Sequence, residues 1–123
     1  MIERYQAVPY VSGGRTMCGL DCWGLTRLVR EEMTGQLLPE FGGVVDRRRM
    51  TKLAPDVKDG LSPSEPKDGA IAFAYRGRLC IHVGIIVKAD GRLWVLETDE
   101  KTGVTISSIR RFESRFVRVE FYD

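Results

Sequence analysis

The 123-residue sequence has no apolar run of about 18 residues or more, the length a helix needs to cross a bilayer, which excludes a transmembrane helix. Its first residues, MIERYQAVPYVSGG, lack the basic stretch and apolar core of a secretory signal, so synthesis in the cytoplasm without a signal peptide is expected. An excess of one charge is missing too. Nineteen Lys and Arg against 17 Asp and Glu leave a net charge of +2, too little to argue for a nucleic-acid partner, and no segment suggests a membrane partner. Cysteine is scarce and odd in number: Cys18, Cys22 and Cys80 argue against a disulfide framework and for free thiols. There is one histidine, His82. Internal repeats, low-complexity tracts and interdomain linkers are absent, so residues 1–123 read as a single domain able to bury its own core.

What is present starts with MCGLDCWGLTRLVREEM, residues 17–33. Pro9 and Gly13-Gly14 predict a loop over AVPYVSGGRTMCG, residues 7–19. Asp21 is a candidate N-cap for a helix from about Cys22 to Thr34, and Gly35 is placed to end it. Leu25, Leu28, Val29 and Met33 recur at helical spacing on one face, with Arg27, Arg30 and Glu31 expected to face away. Further on, LLPEFGGVV looks extended, and DRRRMTKLAPDVKDG predicts a short helix broken near Pro55. Arg47, Arg48 and Arg49 read as a solvated face, since no aromatic residue is interleaved to stack on bases. From Ala70 the pattern changes to strands: AIAFAY, RLCIHVGIIVK, RLWVLET, GVTISSI and FVRVEFY, with turn signals at Arg76-Gly77, Asp90-Gly91 and Thr102-Gly103. The short connections predict an antiparallel meander of about five strands. A helix-rich first half feeding such a sheet is the α+β class.

The chemistry centres on His82. The period of two puts Cys80, His82, Gly84 and Ile86 on one strand face, with Gly84 expected to let another element, such as a helix, approach closely. Alone, a strand histidine is more often structural, and Glu97 alone would only mark where its strand emerges into water. Together with a thiol at a helix N-terminus, they supply a nucleophile (Cys22), a base (His82) and an orienting carboxylate (Glu97), the parts of acyl transfer through a thioester. The backbone N–H of Cys22 is a natural oxyanion donor. A zinc site from Cys18, Cys22, Cys80 and His82 is the competing reading, but C-x3-C running from a loop into a helix is not a zinc knuckle. No metal or cofactor is therefore expected. Cys18 and Cys80 read more simply as small apolar fillers.

Several segments resemble the NlpC/P60 family of cysteine peptidases: PYVSGG, GLDCWGLTRLV around Cys22, DGAIAF at 68–73, HVGIIV at His82, and LET…GVTISS from Leu96. The resemblance spans nearly the whole chain. It implies a papain-like fold, with a cysteine-bearing helix packed on an antiparallel sheet. It also implies hydrolysis of peptidoglycan stem peptides, typically at the bond from γ-D-glutamate to a diamino acid. Carried over residue by residue, it makes Cys22, His82 and Glu97 catalytic, and Tyr10 and Asp21 substrate-binding. A core role for Tyr10, with its hydroxyl reaching water, is the alternative. This sequence departs from the family in having Trp23 where serine usually follows the nucleophile, and Glu97 where histidine or another polar residue is common. The run DCWGLTRLVREE…LLPEF is similar to variants in phage and prophage tail modules, implying a virion-associated protein partnered by other tail proteins. A non-catalytic assembly role on the same fold is the second reading of function.

Overall fold

A computed structural model describes the chain apart from residues 43–45 and the side chain of Arg47. Helix α1 (Ile2–Gln6) leads into a small antiparallel hairpin, β1 (Arg15–Thr16) and β2 (Gly19–Leu20), inside the segment expected to be loop. Helix α2 then spans Cys22–Thr34. Its limits follow from local chemistry: the Asp21 side chain accepts from the Gly24 N–H, and Gly35 closes the helix in the left-handed conformation. Helix α3 covers Arg47–Asp59 without a break at Pro55, contrary to the expectation of a helix interrupted there. A helix-interior proline costs about 3 kcal/mol. Met50, Ala54 and Val57 are buried from α3 in the main core, and each large apolar side chain so placed returns roughly 1.5–3 kcal/mol. Arg48 and Arg49 are exposed, as a solvated face requires. Of the LLPEFGGVV segment, residues 37–42 join no sheet, and 43–45 lie outside the described residues.

The second half forms β3 (Ile71–Arg76), β4 (Leu79–Ala89), β5 (Arg92–Asp99), β6 (Gly103–Ser108), helix α4 (Ile109–Ser114) and β7 (Arg118–Tyr122). Five antiparallel strands make one sheet in the order β6-β5-β4-β3-β7. This corrects the simple meander: four strands follow one another, but β7 returns to the far edge and pairs with β3. The sequence of β3 shows why. Ile71, Phe73 and Tyr75 alternate with Ala72 and Ala74, giving one bulky and one small face. On the small face, Phe112 of α4 is buried against Ala70, Ala72 and Ala74, so α4 can carry the chain across the sheet. On the bulky face lie α2 and α3, with Trp23, Leu25 and Val29 packed among Phe73, Val83, Ile85 and Leu96.

Arg30 does not face away, as its helical spacing suggested. It is buried, with Nη1 donating to the Gly69 carbonyl at 2.7 Å and to the Asp123 carboxylate at 2.5 Å, and Nε donating to Gln36. The C-terminal residue folds back over α2 and converts an outward position into an internal anchor. No helix among the described residues is long and apolar enough to cross a membrane.

Candidate active site

Cys22 is the first residue of α2, so its sulfur stands at the helix end where backbone N–H groups lack intrahelical partners. The loop before it is fastened by Asp21, which is buried. Asp21 Oδ1 accepts from the Gly24 N–H and from Arg15 Nη1, both at 2.8 Å, and Oδ2 accepts from the Gly13 N–H at 3.1 Å. Gly24 makes the closeness possible, because a Cβ there would lie 2.1 Å from the Gly14 carbonyl oxygen. Trp23 points away from the cleft into the core, donating from Nε1 to the Pro39 carbonyl at 3.0 Å, with its ring against Phe41. Tyr10 bridges to Leu20 and lines the cleft beside Cys22.

His82 reaches this cleft through an irregularity in β4. Ala74 pairs with His82, but Tyr75 pairs with Cys80, so Ile81 is an extra residue, a β-bulge. The bulge corrects two expectations. Cys80 does not share a face with His82; it joins Tyr75 and Val83 on the bulky side. Burial there pushes its pKa up to about 12. Cys18 is no buried filler either, being exposed at the β1–β2 turn. The four residues of the zinc reading therefore do not converge: Cys18 is exposed at its turn and Cys80 lies on the other face of β4 from His82, and among the described residues no cluster of three or more His, Cys, Asp or Glu is arranged to hold a metal ion.

The element that approaches Gly84 closely is the neighbouring strand β5. A Cβ on Gly84 would stand 2.7 Å from Val95 Cγ1, 3.2 Å from the Leu96 carbonyl oxygen and 3.5 Å from Glu97 Cβ. Gly84→Ala is therefore expected to destabilise the domain by about 1–3 kcal/mol, since β5 must shift to relieve the overlap. Urea unfolding measures this; an unchanged midpoint would mean that β5 yields without strain.

The approach of β5 brings Glu97 Oε1 to 2.9 Å from His82 Nε2. Glu97 is buried, not emerging into water. Its Oε2 accepts from Arg115 Nη1 at 2.7 Å and from Ser107 Oγ at 3.2 Å. The imidazole stacks on Phe116, with ring centroids 5.9 Å apart, and meets Phe112 edge-on. Burial works against a charged ring, but hydrogen bonding to Cys22 and to Glu97 outweighs it, and the His82 pKa is pushed up to about 9. Burial would likewise raise Glu97, yet its bonds to His82 and Arg115 hold the carboxyl below its ordinary value. Burial first, then the charges of Cys22 and Asp21, raise the Tyr10 phenol, so it stays protonated. Tyr10, Cys22, Ile81, His82, Thr98 and Asp99 line a cleft of about 340 Å³. Lys101, Arg115 and Phe116 border a second hollow of about 310 Å³, which also meets His82.

Cys22, His82 and Glu97 thus form one chain of contacts, with Tyr10 beside it and Asp21 directed inward. Arg115, Ser107, Phe112 and Phe116 were not singled out from the sequence and no spacing signal marks them: Ser107 comes from the neighbouring strand β6, while Phe112, Arg115 and Phe116 are brought to the site by the short helix α4 and the residues that follow it. The chain matches the family described as NlpC/P60 over residues 7–120. Comparison with curated proteins gives no match. Among solved structures, it is similar to the crystal structure of the NlpC/p60 domain of the peptidoglycan hydrolase SagA, with TM-score 0.65 and 21% identity, over 98% of this chain and 90% of that one. At that identity the likeness is one of fold.

Proposed function

The chain belongs to the NlpC/P60 family of cysteine peptidases, a family of cell-wall endopeptidases, and we propose that Cys22, His82 and Glu97 are its catalytic residues. The observation that carries this reading is the 2.9 Å contact between His82 Nε2 and Glu97, which leaves the other ring nitrogen for the Cys22 thiol. In the proposed reaction, His82 takes the thiol proton and Cys22 Sγ attacks the peptide carbonyl. The oxyanion is met by the Cys22 backbone N–H, with the protonated Tyr10 hydroxyl at the same cleft orienting the substrate. The tetrahedral species collapses as His82 returns its proton to the leaving amine, and water then hydrolyses the thioester with His82 as base. Glu97 orients the ring and stabilises the imidazolium throughout. Asp21 contributes indirectly, fastening the loop that leads into Cys22 through a carboxylate already engaged by Gly13, Arg15 and Gly24.

The proposed substrates are peptidoglycan stem peptides, cut between γ-D-glutamate and the diamino acid. The run DCWGLTRLVREE…LLPEF supports assignment to the tail-associated members, which act as part of a phage or prophage particle. Mass spectrometry of purified stem peptides incubated with the protein tests the substrate: new termini at the γ-D-glutamyl bond are expected. Intact peptides alongside cleavage of unrelated amides would overturn it.

A further inference from the structure

Glu97 does not meet His82 alone. While Oε1 faces the imidazole, Oε2 is held by Arg115 Nη1 at 2.7 Å, and the carboxylate is only 2% exposed. Arg115 is the C-cap residue of α4, an element separate from the strands that carry His82 and Glu97. Its guanidinium carbon sits 5.5 Å from the centre of the Phe112 ring and 5.1 Å from that of Phe116. The same two rings flank His82. One aromatic pair therefore seats both the base and the cation behind its carboxylate.

The charge has a purpose in the reaction cycle. His82 alternates between imidazolium and neutral imidazole as it takes and returns a proton. A carboxylate this deeply buried beside a neutral ring would favour its own protonation, and a neutral Glu97 would no longer stabilise the next imidazolium. A permanent cation on the second oxygen removes that weakness, because arginine does not lose its proton in a protein.

We propose that Arg115 is a positioning residue for the reaction, keeping Glu97 ionised and aimed at His82 through every proton transfer. The inference rests on the catalytic reading given above. The competing role is purely structural, with the Arg115 side chain merely covering Phe112 and Phe116. Arg115→Met separates the two, since methionine keeps a long apolar stem over the rings but carries no charge. Arg115→Lys restores a charge without the planar fork. Other ionisable groups face His82 and its cleft: Cys22 from α2, Tyr10 from the N-terminal loop, Asp46 ahead of α3, and Asp99, Glu100 and Lys101 from the end of β5. They are common to all the variants, so differences between profiles belong to Arg115.

The experiment measures stem-peptide cleavage and the rate of Cys22 alkylation across about pH 5 to 9. For Arg115→Met, kcat is expected to fall roughly tenfold near pH 6 and to recover toward about pH 8, with KM little changed, because Glu97 now protonates at higher pH. The alkylation profile should move the same way, and Arg115→Lys should restore part of the loss. In a Glu97→Gln background, Arg115→Met should add nothing. Wild-type profiles in Arg115→Met would overturn the proposal, as would an equal loss with and without Glu97. Should Arg115→Met not fold, Arg115→Gln read against Arg115→Lys makes the same distinction. Full activity in Glu97→Ala would instead overturn the catalytic reading itself, a result separate from any seen at Arg115.

Discussion

Cys22→Ala is expected to abolish peptide cleavage, a loss on the order of 10⁴-fold or more, as when the nucleophile of a catalytic set is removed. Neither remaining thiol can substitute. Cys80 is buried on the opposite face of β4, and its pKa, raised to about 12, keeps it a thiol at neutral pH. Cys18 is exposed but does not line the cleft that Cys22 shares with His82. Cys22 is itself only partly buried, so exchanging its sulfur for hydrogen should leave the fold and melting temperature nearly unchanged. Mass-mapped iodoacetamide labelling supplies the independent check. Cys22 should react fastest near neutral pH, its modification tracking the loss of activity, whereas Cys18 labels more slowly and without effect on turnover. Retained cleavage in the alanine variant would remove Cys22 from the chemistry, and preferential labelling of Cys18 would remove the argument from helix position.

His82→Ala should cost roughly 100- to 10,000-fold in kcat, the usual contribution of a general base. The variant should also slow Cys22 alkylation at neutral pH, because the thiol loses the group that takes its proton. Near-wild-type turnover would make the sole histidine structural. The same residue predicts a pH dependence of stability. The His82 pKa is raised from its ordinary 6.5 to about 9 on folding, so the folded state holds this proton more tightly than the unfolded state. The resulting stabilisation is fully present below about pH 6.5 and is lost as pH rises through about 9. Thermal melts of wild type and His82→Ala should therefore converge as pH climbs through that window. Curves that stay parallel would show that His82 does not exchange its proton on unfolding.

Much of this was legible along the chain because its causes are local. The Asp21 cap and Gly35 stop determine α2 to the residue, since each acts within a turn of the helix end. Short turns and β-branched runs likewise mark the strands of the main sheet, and Cys22, His82 and Glu97 stand out as two scarce residue types and a carboxylate at positions where a helix starts or a strand is otherwise apolar. Tertiary structure alone decided the rest. The bulge at Ile81 reverses the face of Cys80 relative to His82, and no period-two count can anticipate one inserted residue. Pro55 stays inside α3 because burial against the sheet outweighs a local preference. Arg30 turns inward for partners 39 and 93 residues away. The six-residue α4 is too short for its periodicity to be read, yet it carries β7 across the sheet and Arg115 onto Glu97. Residue types and their local spacing supplied the reactive groups; the burial and charge that tune them come from parts of the chain that meet only when it folds.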